Sequence, residues 1–114
     1  MKTEDKELLL KDLCARLPYK VQCEIGGLKH GPYTFTGDDV EDLIIGRMFK
    51  PYLRPMSSMT EKECEERIEI FGKYCPFDSS PMYIDWLLEH HFDFRGLIKK
   101  GLALEAPEGM YKTD

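Results

Sequence analysis

The chain has 114 residues, of which 42% are hydrophobic and 32% charged, and its net charge is −5. This length and composition predict a single globular domain and exclude a disordered chain. No apolar run approaches the ~20 residues of a membrane-spanning helix, and the N-terminus lacks the basic start and apolar stretch of a signal peptide. We therefore expect a cytoplasmic protein that makes no membrane contact, and the acidic charge disfavours nucleic acid as a partner.

The first predicted elements are a helix and a strand. In the helix, over residues 3–16, leucines recur at four-residue spacing and form one apolar face. Pro18 ends this helix. Residues 19–25 alternate between apolar and polar side chains, which predicts a strand with one buried face.

The middle of the chain contains a short predicted strand, an ambiguous segment and a connector. The strand covers residues 33–36, which are aromatic and β-branched. Residues 40–46 fit either a buried third strand or a short capped helix, and we favour the strand because a meander needs only short connections. Residues 51–59 are predicted to be a connector, since prolines at positions 51 and 55 disfavour both a helix and an interior strand.

Two further helices and an edge strand follow. Thr60 and Glu63 have the spacing of a capping box at the start of the second helix, whose buried stripe should include Ile68. A third helix is predicted over residues 81–91, followed by an edge strand over residues 102–106. The fold class is therefore α+β, with about three helices packed on one side of a small, mostly antiparallel sheet.

The domain should span residues 1–107 and leave residues 108–114 as a flexible C-terminal tail. Trp86 should be buried where the third helix meets the sheet or the first helix. The four cysteines contain no C-x-x-C pair, so neither a zinc ribbon nor a thioredoxin-type motif is predicted. We expect them to be reduced and to serve as small core hydrophobes; they are Cys14, Cys23, Cys64 and Cys75.

Two segments of the chain, residues 51–61 and residues 86–106, carry a family resemblance, and residues 13–19 match its usual opening. They resemble a family of small uncharacterised proteins of gut-bacterial genomes and their phages, and the likeness covers most of the chain. The family supplies no activity or cofactor that transfers to this protein. The resemblance favours a cytoplasmic accessory protein whose gene lies on a bacterial chromosome or on a mobile element.

The strongest candidates for chemistry are His90, His91 and Asp93, since imidazoles and carboxylates bind metals and transfer protons. Adjacent helical residues point about 100° apart, however, so the two histidines are poorly placed to share one ion. We predict no metal and no cofactor. The structural alternative is that the histidines bond the free carbonyls at a helix end or pack in the core.

Three further residues are candidates for a binding surface, namely Tyr52, Arg54 and Arg95. Asp93 and Arg95 flank Phe94, and alternation would place both on one face, opposite Phe94, where they could pair. The favoured function is a non-enzymatic interaction or regulatory module with an unidentified protein partner. An enzyme with a site near the two histidines, and a nucleic-acid-binding accessory factor, remain alternatives, and self-association is left open.

Overall fold

The computed structural model describes residues 2–26, 31–72 and 81–111. Within them the fold is α+β, as predicted, with four α-helices and four β-strands. In chain order the elements are α1 Thr3–Ala15, β1 Gln22–Ile25, β2 Tyr33–Thr34, α2 Asp39–Ile44, β3 Phe49–Leu53, α3 Glu61–Phe71, α4 Pro81–Glu89 and β4 Leu104–Glu105. None of the helices in these ranges has the length and apolarity that crossing a bilayer requires.

The strands form one sheet in the order β2-β1-β3-β4. β1 pairs antiparallel with β2 and with β3, whereas β4 pairs parallel to β3 at the edge. β1 is shorter than predicted, because a 3-10 turn at Leu17–Tyr19 occupies the start of the predicted strand. The predicted faces are nevertheless correct, since Val21, Cys23 and Ile25 are buried.

The predicted connector at residues 51–59 is wrong in its first part, which belongs to the interior strand β3. Pro51 is tolerated there because of its register. Gly26 donates its N–H across the β1–β3 ladder at 2.8 Å, and bonded pairs alternate along such a ladder, so Pro51 lies opposite Cys23 in a pair without hydrogen bonds. On the other side of β3, pairing with β4 begins only at Tyr52. The N–H that proline lacks is therefore not needed by either neighbour.

The favoured strand at residues 40–46 is also wrong, since this segment contains the short helix α2, the alternative that the sequence left open. Asp38 makes no side-chain cap. Instead the Asp39 carboxylate accepts hydrogen bonds from the backbone N–H and the hydroxyl of Thr36, at 2.9 and 3.2 Å. These bonds tie the first turn of α2 to the preceding loop, and Leu43 anchors the helix in the core.

The core consists of two clusters of buried side chains. The larger one lies between the sheet and the helices α1 and α2 and contains Leu9, Leu13, Val21, Cys23, Ile25, Phe35, Leu43, Phe49, Leu53, Leu97, Leu102 and Ala103. The smaller one contains Tyr83, Trp86, Leu87 and Phe92, with Phe71 of α3 packed against them. α3 and α4 thus build an aromatic core of their own beside the sheet.

Trp86 is buried as predicted, with 6% of its surface exposed, but its neighbours differ from the expected ones. It packs against Phe71 of α3 and against Phe92 rather than against the sheet or α1. Its indole N–H donates to the Glu66 carboxylate at 2.9 Å. Because the indole donor is bonded, burial of this residue leaves no polar group unsatisfied.

The capping box at the start of α3 is confirmed, with Thr60 and Glu63 bonding each other's backbone N–H groups. The predicted buried stripe is wrong at Ile68, which is 43% exposed, and Glu63, predicted by its place in the capping box rather than in the stripe, is buried. The reason is Arg54, which binds the Glu63 carboxylate through both terminal nitrogens at 2.7 and 2.6 Å. A bidentate ion pair therefore rotates the charged side of α3 toward the domain.

The cysteines agree with their predicted role only in part. Cys23 lies fully in the larger core cluster, and burial raises the pKa of its thiol to about 12. Cys14 and Cys64 are half-buried free thiols. Cys75 lies outside the described residues.

The C-terminal segment, residues 107–111, lies against the sheet. The hydroxyl of Tyr111 accepts a hydrogen bond from the backbone N–H of Gln22 and donates one to the carbonyl of Tyr52, both at 2.8 Å. Continuing the β1–β3 register would pair those two residues, so the hydroxyl lies where the ladder would otherwise have closed. The domain limit at residue 107 stays a prediction, but the chain is attached to the sheet as far as Tyr111.

Replacing Tyr111 by Phe tests this attachment. The ring is kept, but the Gln22 N–H and the Tyr52 carbonyl both lose their partner, and an unsatisfied buried group costs about 1–3 kcal/mol. We expect Tyr111→Phe to lower the free energy of unfolding by about that amount in urea titrations. The matched control is Tyr33→Phe, because Tyr33 is similarly half-buried and its hydroxyl makes no hydrogen bond recorded among the described residues. Equal effects of the two substitutions would contradict the bridging role of the Tyr111 hydroxyl.

Candidate functional site

Arg54, a predicted binding-surface residue, is a buried structural residue with 6% of its surface exposed. Besides Glu63 it binds the carbonyls of Ser58 and His90, each at 3.2 Å, and its guanidinium lies 4.2 Å from the centre of the Phe92 ring. Its backbone continues β3 by exchanging hydrogen bonds with the chain at residues 91–93. Arg54 therefore fixes the end of α4, where both candidate histidines lie.

Asp93 and Arg95, which the sequence suggested could pair, instead have separate partners. The Asp93 carboxylate accepts hydrogen bonds from the N–H groups of Leu97 and Ile98, at 2.8 and 3.0 Å, and so closes a turn. Arg95 instead reaches Asp12 of α1 at 2.8 Å. Both residues hold the fold together, and neither belongs to an open surface with the histidines.

His90 belongs to the aromatic cluster of α3 and α4. Its ring lies over Trp86 with 4.2 Å between ring centres, and its Nδ1 is 2.8 Å from the Trp86 carbonyl oxygen. Its Nε2 is 4.0 Å from the Glu66 carboxylate. The same carbonyl also accepts the backbone N–H of His90 at 3.1 Å, so the ring contacts a carbonyl that is already bonded rather than one of the free carbonyls that the structural alternative invoked.

His91 points elsewhere, because it has a left-handed backbone with a φ of 64°. Its ring stacks on Tyr111, with 3.7 Å between ring centres and 12° between planes. The pKa of His91 is lowered to about 4, chiefly by burial and also by the nearby positive charges of Arg16 and Arg54. The imidazole is therefore neutral at neutral pH, and the two histidines do not converge on a common point.

Two open grooves lie on either side of the C-terminal segment. The first has a volume of about 840 Å³ and is lined by Tyr19, Lys20, Gln22, Pro32, Glu89, His90, His91 and residues 107–111. The second has a volume of about 720 Å³ and is lined by Arg54, Pro55, Ser58, Thr60, Glu105, Ala106, residues 107–109 and Tyr111. The stacked pair of His91 and Tyr111 forms part of the first groove, and Tyr111 borders both.

The charges along these grooves are unbalanced. Glu89, Glu105 and Glu108 are exposed carboxylates, and Lys20 is the exposed cation among the lining residues. Arg54 adds no free charge because Glu63 binds it. The rims of the grooves are therefore acidic.

The groove surface combines residues that the sequence pointed to with residues that it did not. Tyr52, a predicted surface residue, is half-buried and takes part through its carbonyl, which accepts the Tyr111 hydroxyl proton. Tyr19 and Tyr111 were not candidates. Pro18 gave a weak signal, since it fixes the chain directly before the half-buried Tyr19, but nothing local pointed to Tyr111.

A second exposed apolar surface lies at the end of α2. Its members, called the α2 surface, are Ile44, Ile45 and Met48, which are 50%, 76% and 53% exposed. Three large apolar side chains within five residues are more than scattered surface hydrophobics. The cavity beside Met48 measures about 280 Å³, which is smaller than either groove.

Metal binding finds no support in the geometry of the described residues, which contain no group of three or more His, Cys, Asp or Glu able to hold an ion. Comparisons with family models, with curated proteins and with solved structures find no match to this chain.

The pH dependence of stability tests the environment of His91. Unfolding restores the ordinary pKa of 6.5, whereas the folded protein takes up the proton only near pH 4. The unfolded chain thus binds more protons between these values, so stability is full above pH 6.5 and falls as the pH drops toward 4, by about 2–3 kcal/mol. We expect His91→Asn, which tolerates the left-handed backbone, to lose less stability over this range than the natural protein.

The measurement is the free energy of unfolding in urea at both ends of that pH range. Carboxylates titrate in both proteins, so the difference between the two pH dependences isolates His91. His90→Gln serves as the control for losing a histidine ring. The same pH dependence in the natural protein and in His91→Asn would show that His91 is not held neutral.

Proposed function

We propose that the protein is a small cytoplasmic accessory protein that acts as a non-enzymatic interaction module and binds a partner protein in the two grooves beside the C-terminal segment. The observation that carries this proposal is the composition of the grooves. They combine half-buried rings, exposed prolines and exposed carboxylates, and the two central ionisable groups, His91 and Tyr111, are stacked on each other. Such a surface suits contact with another protein better than proton transfer or nucleophilic attack.

The protonation states of the central residues support contact rather than catalysis. A general acid or base works best with a pKa near the operating pH. The pKa of His91 is about 4, and burial raises the pKa of Tyr111 to about 12. The Tyr111 hydroxyl also donates its proton in a hydrogen bond to one backbone carbonyl and accepts a hydrogen bond from one backbone N–H. Neither group is suited to exchange protons with a substrate at neutral pH.

The shape of the site also supports a protein partner. Small-molecule sites are concave and enclose most of their ligand, whereas both grooves here are open to solvent. They share Pro107, Glu108, Gly109 and Tyr111, so one extended segment can cross the C-terminal segment and occupy both.

Affinity purification from the cells that make the protein, followed by quantitative mass spectrometry, tests the proposal. The test variant is Glu89→Lys with Glu108→Lys, two exposed positions on the groove rim. The matched control is Glu65→Lys with Glu69→Lys, which makes the same charge change on the exposed side of α3. A partner should be captured by the natural protein and by the control, and its yield should fall about tenfold or more with the rim variant.

Two outcomes would contradict the groove as the binding site. One is equal capture of every protein by the rim variant and the control. The other is a partner lost from Ile45→Ser but kept by the rim variant, which would place the interaction on the α2 surface instead.

A further inference from the structure

We propose that the occupant of the two grooves is a proline-rich segment with basic residues, bound in the polyproline II conformation. This inference rests on the proposed function and specifies the chemistry of its partner. Two features of the grooves lead to it: the fixed aromatic ring of Tyr111 and the acidic charge of the rims.

The ring of Tyr111 provides a rigid apolar wall. Tyr111 is fixed at its hydroxyl by Gln22 and Tyr52 and on one face by the parallel ring of His91. Tyr19 lines the same groove and ends the 3-10 turn that starts at Leu17. Aromatic side chains that are already fixed lose little conformational entropy when a ligand packs on them. Proline rings dock between such aromatic side chains in known grooves for polyproline II segments.

A polyproline II segment makes no internal hydrogen bonds, leaves its backbone solvated and brings rigid apolar rings. It can therefore pack on the fixed ring of Tyr111, whose hydroxyl is already bonded to Gln22 and Tyr52, without requiring backbone partners in the groove.

The charge of the rim selects for a basic segment. Among the lining residues, three exposed carboxylates outnumber the single exposed cation, Lys20; they are Glu89, Glu105 and Glu108. The net charge of −5 for the whole chain acts in the same direction. Complementary charge at a rim mainly sets the association rate and rejects partners of the wrong sign. Arginine or lysine beside the prolines would meet these carboxylates, and an acidic segment would be repelled.

The test uses the full-length protein and a labelled synthetic peptide with Pro-x-x-Pro repeats and a pair of arginines, with binding measured by fluorescence anisotropy. Two comparison peptides replace the prolines by alanine or the arginines by glutamate. We expect each replacement to weaken binding about tenfold or more. Binding of the arginine peptide should also weaken as salt is raised, because the rim charges are exposed.

A charge exchange distinguishes a direct contact from a general effect on the fold. In Glu89→Lys with Glu108→Lys, the arginine peptide should bind less tightly and the glutamate peptide more tightly than to the natural protein. The control, Glu65→Lys with Glu69→Lys, should bind all three peptides as the natural protein does. A loss of stability alone would weaken both charged peptides together and would not produce this reversal.

Absence of binding to the proline peptide, or equal binding of the alanine peptide, would overturn this inference. If a partner captured from cells still depends on Glu89 and Glu108, the proposed function stands and only the identity of the occupant is wrong. If the proline peptide binds the natural protein and shows the charge reversal, the occupant is supported independently of any captured protein.

Discussion

The candidate site depends on one side-chain hydroxyl placed inside a sheet. The Tyr111 hydroxyl occupies the position between β1 and β3 where Gln22 and Tyr52 would otherwise bond each other. This contact attaches the C-terminal segment across the end of the sheet, and the segment divides the open surface there into two grooves. The ring also gives His91 a stacking partner. One residue near the end of the chain therefore fixes the shape of the surface, its aromatic wall and the orientation of the nearest histidine.

Buried arginines carry out the complementary task of joining the elements around the site. Arg54 ties the end of β3 to Glu63 of α3 and to the carbonyl of His90, directly after α4. Arg16, which directly follows α1 and is fully buried, binds the Asp12 carboxylate and the carbonyl of Phe92. Removing one partner of a buried ion pair destabilises the fold more than the intact pair stabilises it, because an unpaired charge is left buried. The sequence contains these residues as ordinary charges, so they resemble surface residues until the fold brings their partners close.

A feature of the structure was predictable when its sequence signal lies within a few neighbouring residues, and was not when it depends on residues far apart in the chain. The helices α1, α3 and α4 were predictable because their periodicity, and the capping box at Thr60, are local. The run at residues 43–45 has no periodicity, so α2 was mistaken for a strand. The position of Pro51 inside β3 depends on its register against β1, which no local rule contains. The stack of His91 on Tyr111 joins residues that are 20 positions apart. It was not expected, because Tyr111 was assigned to a flexible C-terminal tail. The α+β fold class was therefore predictable, whereas the groove was not.

Amide hydrogen exchange of Gln22, followed by NMR, tests the central claim most directly. Its N–H donates to the Tyr111 hydroxyl rather than to another strand, so its protection reports that contact alone. The account predicts that the Gln22 amide is protected in the natural protein and loses protection in Tyr111→Phe, while the Glu24 amide, which lies within the β1–β3 ladder, stays protected in both. A Gln22 amide that exchanges in the natural protein as fast as in an unstructured peptide would contradict the account.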